Sequence, residues 1–419
     1  MARYISKLPS ARFAETWPRH LALLGSTGSI GRSALAILER LPGHFKVEAL
    51  AGGRNTRLLA AQALRWRPDY LAVQDEKSAL ELKRSLEGEP SFRPEILVGP
   101  PGYAGVAALP EVDLVLSAQS GAAGLNATYA AVRAGKVVAL ANKESLVLAG
   151  ELIRKECGRN GASILPVDSE HNAVFQCLLG SPPAAEQFAG SAGPVGGESL
   201  KRIILTASGG PFRGWTAEAM SGVTPEEALA HPTWSMGAKI SIDSATMMNK
   251  GMEIVEACHL YGLPAADVEV LIHPQSIIHA LVEFKDSSRL AQLGVPDMRI
   301  PISCCLGWPG RMDSGAAELD LAAAPALSFF RPDEQNFPAP VYWRAALEEG
   351  KGLTVALNAA NEVAVDLFLR KEIGFMDIIR LARLTLDNWR ESSDPDNMED
   401  VLCMDAKARA AATEYAARL

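Results

Sequence analysis

The chain has 419 residues, too many for one hydrophobic core, so two or three domains are expected. Its 48% hydrophobic and 21% charged residues place it among globular proteins, and a formal net charge of −8 argues against a nucleic-acid partner. No run of about 18 uncharged apolar residues occurs, which argues against a membrane span.

Residues 1–18 lack the apolar centre of a signal peptide and read as a short disordered extension without a role. Cys157, Cys177, Cys258, Cys304, Cys305 and Cys403 form no C-x-x-C pair and no framework spacing. They predict reduced thiols in a cytoplasmic protein.

Residues 19–165 read as a dinucleotide-binding domain. Apolar Leu21–Leu24 runs into Gly25-Ser26-Thr27-Gly28-Ser29-Ile30-Gly31, and an amphipathic helix follows with Ile30, Ala34, Ile37, Leu38 and Leu41 on one side. Between a strand and a helix, glycines let the backbone approach a pyrophosphate, and the helix start offers free N–H groups. The spacing is G-x-x-G-x-x-G rather than G-x-G-x-x-G, so alone it also suits a tight structural turn. The second strand, about 45–50, ends in Gly53, Arg54 and Asn55, where an NAD site usually carries an acid. An arginine there suits the 2′-phosphate of NADP. Strands at 112–117 and 136–140, separated by an Ala-rich helix at 122–134, extend the alternation into a parallel, doubly wound, Rossmann-like sheet. Asn142, Lys143 and Glu144 stand at a strand's carboxyl end, where such sheets bind ligands; the same residues would also serve as an acidic helix start.

Residues 166–308 read as a catalytic α/β domain with a mixed sheet. A strand at 162–167 runs into Asp168-Ser169-Glu170-His171. Side chains two apart on a strand share a face, so Asp168 and Glu170 converge, and with Glu253 they make an oxygen site for Mg²⁺ or Mn²⁺. A helix cap with an acidic first turn is the plainer role for the first two, and His171 offers a possible extra ligand, though it is a lone histidine at that helix start. Residues 180–198, rich in Gly, Ala, Ser and Pro, read as a surface loop. The strand at 201–205 ends in Ser208-Gly209-Gly210-Pro211, which is a phosphate nest if Ser244, Asn249 and Lys250 join it and otherwise a turn.

His231–Gly237, with Trp234 and Met236 between Pro232 and Gly237, has the composition of a flexible lid loop. Residues 238–243 alternate like a short strand. From Ser244 the period is helical. Met248, Met252 and Val255 form one stripe; Asn249, Lys250 and Glu253 form another, so a donor, a cation and an anion share a face. A solvated Lys–Glu face is the other reading. Strands at 268–272 and 276–284 look paired, carry His273 and His279 as candidate core histidines, and are followed through a turn at 286–288 by an edge strand at 289–294. Residues 309–340 read as a linker. Residues 341–419 recur at helical spacing, predicting a small C-terminal helical bundle; Asn358, Asn361 and Glu362 are candidates for function there, with a polar helix face the plainer reading.

Taken together, GSTGSIG, AGGRN, ANKESL, LPVDSEHNAVFQ, TASGGPFR, HPTWSMGAKISIDSATMMNKGMEIVEA and IHPQSIIHALVEFKDSSRLAQLGVPDMRIPI resemble the 1-deoxy-D-xylulose 5-phosphate reductoisomerase family of the non-mevalonate isoprenoid pathway. The resemblance implies NADPH against Thr27, Gly28, Ser29, Ile30, Gly53, Arg54, Asn55, Asn142, Glu144 and Gly237. It implies Asp168, Glu170 and Glu253 as ligands of Mg²⁺ or Mn²⁺ and, with Lys143, as the catalytic residues. Lys143, Ser169, Ser208, His231, Ser244, Asn249 and Lys250 match substrate contacts, joined by Glu170, Glu253 and, from the lid, Trp234 and Met236. Arg54 stands where many members have lysine, which keeps the cation. A homodimer is implied as well.

The implied reaction rearranges the carbon skeleton of 1-deoxy-D-xylulose 5-phosphate, a sugar phosphate, and reduces the resulting aldehyde with NADPH to 2-C-methyl-D-erythritol 4-phosphate. The residues by themselves leave two rivals: another NADP- and metal-dependent isomeroreductase, and a metal-dependent aldolase or phosphatase whose glycine turn binds no dinucleotide.

Overall fold

The structure, a computed structural model, describes residues 4–179, 199–234 and 236–419. Seven short strands form one parallel sheet: β1 (Arg19–Leu24), β2 (Phe45–Ala51), β3 (Tyr70–Val73), β4 (Glu95–Val98), β5 (Leu114–Ser117), β6 (Val137–Leu140) and β7 (Ser163–Pro166). Their spatial order is β4-β3-β2-β1-β5-β6-β7. Leu21–Leu24 and Val137–Leu140 are buried throughout, as strands covered on both faces must be. The order reverses between β1 and β5, and ligands bind above such a switch point. Strands β3 and β4, four residues each, are additions to the expected alternation.

The turn after β1 is built by its glycines. Gly25 has φ +85°, and a side chain on it would overlap the carbonyl of Ala118 at the end of β5; one on Gly31 would overlap the backbone of Gly25 and Ser26. The Ser29–Arg40 helix therefore lies close against the strand ends, with Ala34, Ile37 and Leu38 turned inward.

The second sheet is mixed, as expected, but its order is not. It contains β8 (Leu200–Ala207), β9 (Val268–Ile272), β10 (Ile278–Phe284) and β11 (Arg289–Leu293) in the order β11-β10-β8-β9. β9 and β10 do not pair: β8 lies between them, parallel to β9 and antiparallel to β10. The expected β10–β11 hairpin is present. The C-terminal helices Ala339–Glu349, Leu353–Leu369, Phe375–Asn388 and Met398–Ala416 pack as a bundle.

Three local expectations are corrected. Residues 4–18 are not a loose extension: Tyr4 and Ile5 are buried, the Tyr4 hydroxyl donates to the Ile164 carbonyl at 2.8 Å, and the Ile5 N–H donates to the Leu260 carbonyl at 2.8 Å. Tyr4 also packs on the rings of Phe175 and Tyr261. Residues 238–243 are not a strand but part of the Ala238–Ala245 helix; Met247, at φ 61°, separates it from the Met248–Tyr261 helix. Asp168 and Glu170 do not share a strand face, because the Ser169–Leu179 helix begins between them. The loop expected at 180–198 lies outside the described residues. Among the described residues no helix is long and apolar enough to cross a membrane.

Candidate active site

A cavity of about 460 Å³ opens above the carboxyl ends of β1, β5 and β6 and reaches across to the second sheet. Gly28, Ser29 and Ile30 line it at one end, and Ser208, His231 and Lys250 at the other. Lys143, Glu144, Asp168, Ser169, Glu170, Trp234, Met236, Gly237, Ser244 and Asn249 complete the expected residues that line it. Thr27, Gly53, Arg54 and Asn55 are not among its lining. They stand at the ends of β1 and β2, where Arg54 is exposed and the Asn55 side chain caps the Thr56–Trp66 helix by accepting from Leu58 N–H at 3.1 Å. Gly28 precedes the Ser29–Arg40 helix without a side-chain cap, which leaves the first N–H groups for a ligand.

The centre of the cavity is a cluster of carboxylates and ammoniums. Lys143 donates to Asp168 and to Asn249 Oδ1 at 2.8 Å, and its Nζ lies 3.4 Å from Glu253 Oε1. Lys250 donates to Glu170 Oε1 at 2.8 Å, to the Thr206 carbonyl at 2.5 Å and to Glu253. Asn249 Nδ2 donates to Glu253 Oε1 at 2.6 Å, so the three side chains do share a helix face, with Lys250 and Glu253 buried rather than solvated. Glu253, fully buried, backs the cavity through these three contacts.

The charges do not balance. Burial lowers both lysine pKa values, yet the facing carboxylates hold them above the ordinary lysine range. Burial raises Asp168, but Lys143, His171 and Lys250 together outweigh it and bring the carboxyl down to about 2. Burial and then the charge of Glu170 push Glu253 up to about 7 in spite of Lys250 and Lys143. With Glu253 ionised, the three carboxylates and two ammoniums leave one negative charge in excess. Oxygen donors short of positive charge are the donor set a hard divalent cation takes. Ligand atoms of Asp168, His171 and Glu253 lie within 4.8 Å of one another, so the residues present fit a metal ion. Glu170, turned to Lys250, adjoins this set, and His171, the possible extra ligand of the sequence, lies within it. His171 Nε2 donates to the Glu253 carbonyl at 2.9 Å, which leaves Nδ1 facing Asp168 and Glu256 at 3.8 and 3.7 Å.

The expected phosphate nest has a definite polarity. His231 Nδ1 accepts from the N–H groups of Thr233 and Trp234 at 3.1 and 2.9 Å, so Nε2 carries the proton. Burial lowers the His231 pKa and favours this neutral form. Nε2–H then donates to Ser208 Oγ at 3.0 Å, and Gly210 N–H donates to the same oxygen at 3.1 Å. The Ser208 hydroxyl proton is left to point at a ligand. Trp234 is half-buried at the rim, edge-on to His279 at 6.1 Å. His273 is a satisfied core residue, bonded to the Ser328 carbonyl and the Ile277 N–H.

Two expected cofactor contacts are turned elsewhere. Asn142 Nδ2 donates to the carbonyls of Gln119 and Gly121 at 2.8 and 2.9 Å and to Glu144 Oε2 at 2.9 Å. Glu144 Oε1 accepts from Lys239 at 2.7 Å. Lys239 and Asp243, 2.9 Å apart, both line the cavity and were not singled out in the sequence. Their i,i+4 spacing is a pairing signal only on a helix, and the segment reads as a strand.

A dinucleotide-type sheet joined through one cavity to a carboxylate–lysine cluster and a neutral anion nest defines an α/β oxidoreductase acting on a small oxygenated substrate. Comparison with known proteins gives the family. Residues 21–150 match the family model for 1-deoxy-D-xylulose 5-phosphate reductoisomerase, residues 164–261 that for the C-terminal domain of the same enzyme, and residues 293–411 a further DXP reductoisomerase C-terminal domain model. The chain is 54% identical over 416 residues to a 1-deoxy-D-xylulose 5-phosphate reductoisomerase of Nitratidesulfovibrio vulgaris, covering 99% of this chain and 98% of the relative. It is also 54% identical to that of Oleidesulfovibrio alaskensis over 419 residues, 99% of each. Among solved structures, a DOX-P reductoisomerase in complex with NADPH, fosmidomycin and magnesium superposes with a TM-score of 0.88 at 40% identity, covering 95% of this chain and 98% of the other. The enzyme from Zymomonas mobilis in complex with NADPH gives 0.85 at 42%, covering 96% and 99%. The chain belongs to the 1-deoxy-D-xylulose 5-phosphate reductoisomerase family.

Proposed function

We propose that this chain converts 1-deoxy-D-xylulose 5-phosphate to 2-C-methyl-D-erythritol 4-phosphate in isoprenoid precursor biosynthesis, using NADPH and Mg²⁺ or Mn²⁺. The observation that carries the reading is that the Gly28–Ile30 turn and the Lys143–Asp168–Glu253–Lys250 cluster open into one cavity. A metal-dependent aldolase or phosphatase has no use for that turn.

The residues divide the work. Thr27, Gly28, Ser29 and Ile30 take the pyrophosphate side of NADPH, with Gly53, Arg54 and Asn55 toward the adenosine end and Gly237 across the cavity. Asn142 and Glu144 act on the cofactor through the loop they hold. Asp168, Glu170 and Glu253 hold the metal. When bound, the metal supplies Lewis-acid polarisation of substrate oxygens and NADPH supplies the reducing equivalents. Lys143 places positive charge where charge develops during the rearrangement and moves a proton there. Ser208, His231, Ser244, Asn249 and Lys250 hold the phosphate away from the reacting carbons, and Ser169 adds a polar contact. Trp234 and Met236 close over the substrate and exclude water. The proposed assembly is a homodimer in the cytoplasm, which sedimentation and cell fractionation would test.

NADPH oxidation by the purified protein with 1-deoxy-D-xylulose 5-phosphate, with Mn²⁺ or with EDTA, tests the reading. Substrate- and metal-dependent oxidation supports it. Oxidation that ignores EDTA removes the metal role, and none at all with folded protein and bound NADPH rejects the substrate.

A further inference from the structure

The C-terminal bundle reaches the active site through one helix. Asn361 and Glu362 are neighbours on the Leu353–Leu369 helix, and neither lies in the cavity. Asn361, fully buried, donates from Nδ2 to Asp243 Oδ1 at 2.7 Å. The other Asp243 oxygen lies 2.9 Å from Lys239 Nζ. Lys239 donates to Glu144 Oε1 at 2.7 Å, and Glu144 Oε2 accepts from Asn142 at 2.9 Å. Asn142 holds the Gln119 and Gly121 carbonyls. The next N–H along that loop, of Ala122, donates to Glu362 Oε1 at 2.9 Å, and Glu362 Oε2 pairs with Arg409 at 2.6 Å. The chain of polar contacts thus leaves the helix at residue 361 and returns to it at residue 362. It passes through Asn142 and Glu144, the residues on either side of Lys143, and it links the helix behind the lid loop to the loop after β5.

We infer that Asn361 and Glu362 are positioning residues for the reaction: from outside the cavity they fix the Lys143 turn relative to the Ala238–Ala245 helix and the dinucleotide loop. Helix packing does not require this device. Apolar side chains of similar volume hold helices together at least as well as buried charged groups, which must be desolvated. A polar network adds defined geometry, because each hydrogen bond is directional and a misplaced partner leaves a buried polar group unpaired. The elements it joins carry Lys143 on one side and Lys239, Asp243 and Ser244 on the other, the two faces whose separation sets how substrate lies against the cofactor.

The inference rests on the proposed activity, and the experiment separates the two. Asn361→Leu keeps the volume and removes the amide. Thermal midpoint, NADPH affinity, kcat and KM for 1-deoxy-D-xylulose 5-phosphate, and the isotope effect with deuterated NADPH are measured beside the parent chain. A positioning role predicts kcat down by about 10- to 100-fold, the cost of a displacement on the order of 1 Å, together with a changed isotope effect, while NADPH affinity stays within about threefold. Glu362→Leu should act in the same direction, and Glu362→Gln, which keeps an acceptor for Ala122 N–H, should recover part of the loss. A folded Asn361→Leu protein with kcat and isotope effect unchanged overturns the inference and leaves the network as packing alone. If Asn361→Leu does not fold, Asn361→Ser is judged by the same criteria. A parent chain without turnover overturns the proposed activity and this inference with it.

Discussion

Lys143 and Glu253, 110 residues apart in the chain, meet at 3.4 Å, Glu253 fully buried and Lys143 nearly so. Glu253 is the carboxylate both lysines share, and burial with the neighbouring Glu170 keeps its pKa near 7. Glu253→Gln keeps the shape and removes the excess negative charge. We predict a loss of turnover of about 100-fold or more, with NADPH affinity unchanged, measured by steady-state kinetics and by fluorescence titration of NADPH. Near-normal turnover would take Glu253 out of the metal site.

Arg54 is exposed at the end of β2, beyond the cavity lining, where the 2′-phosphate of NADP would approach. Arg54→Asp should raise the Michaelis constant for NADPH by at least about tenfold while changing that for NADH much less. Equal changes for both cofactors would remove Arg54 from the discrimination.

Trp234 is half-buried in the cavity lining and meets His279 edge-on. Trp234→Ala should raise KM for the sugar phosphate and lower kcat, each by about tenfold or more, and leave both NADPH affinity and thermal stability close to those of the parent chain. An enzyme with unchanged kinetics would make the loop a simple connection.

Acid stability has a separate origin, remote from the site. Lys201, then Arg202 and Arg289, hydrogen-bond the Glu283 carboxylate and bring its pKa from 4.5 down to about 2. A carboxyl depressed in the folded state binds its proton more readily when unfolded, so its stabilising contribution is complete above about pH 4.5 and disappears as pH falls toward 2. Glu283→Gln should lower the thermal midpoint at neutral pH, and the difference from the parent chain should shrink steadily below pH 4.5. A constant offset across that range would contradict the assignment.

What was legible in the sequence follows from how local each signal is. The turn from Gly25 to Gly31 could be read because strand, glycines and helix are contiguous. Asn249, Lys250 and Glu253 could be placed on one face because the helical period is strong there. Asp168 and Glu170 both line the cavity, but from a helix start rather than from the strand face that their spacing suggests. Ile240 and Ile242 alternate with polar neighbours in a stretch too short to separate strand from helix, and long-range contacts such as Lys239 with Glu144 decide the outcome. Tyr4 and Ile5 are two apolar residues without a period, so their burial beside Ile164 and Leu260 leaves no mark in the sequence. The insertion of β8 between β9 and β10 is likewise a non-local choice. Asn361 and Glu362 look like a polar helix face until Asp243 and Ala122 are brought against them.

The most direct measurement is the structure of the product. Purified protein would be incubated with 1-deoxy-D-xylulose 5-phosphate, NADPH and Mn²⁺, and the phosphorylated products identified by carbon and phosphorus NMR against the NADPH consumed. The account predicts 2-C-methyl-D-erythritol 4-phosphate, one molecule for each NADPH oxidised. An unbranched reduction product, or cleavage or loss of phosphate without NADPH consumption, would contradict it.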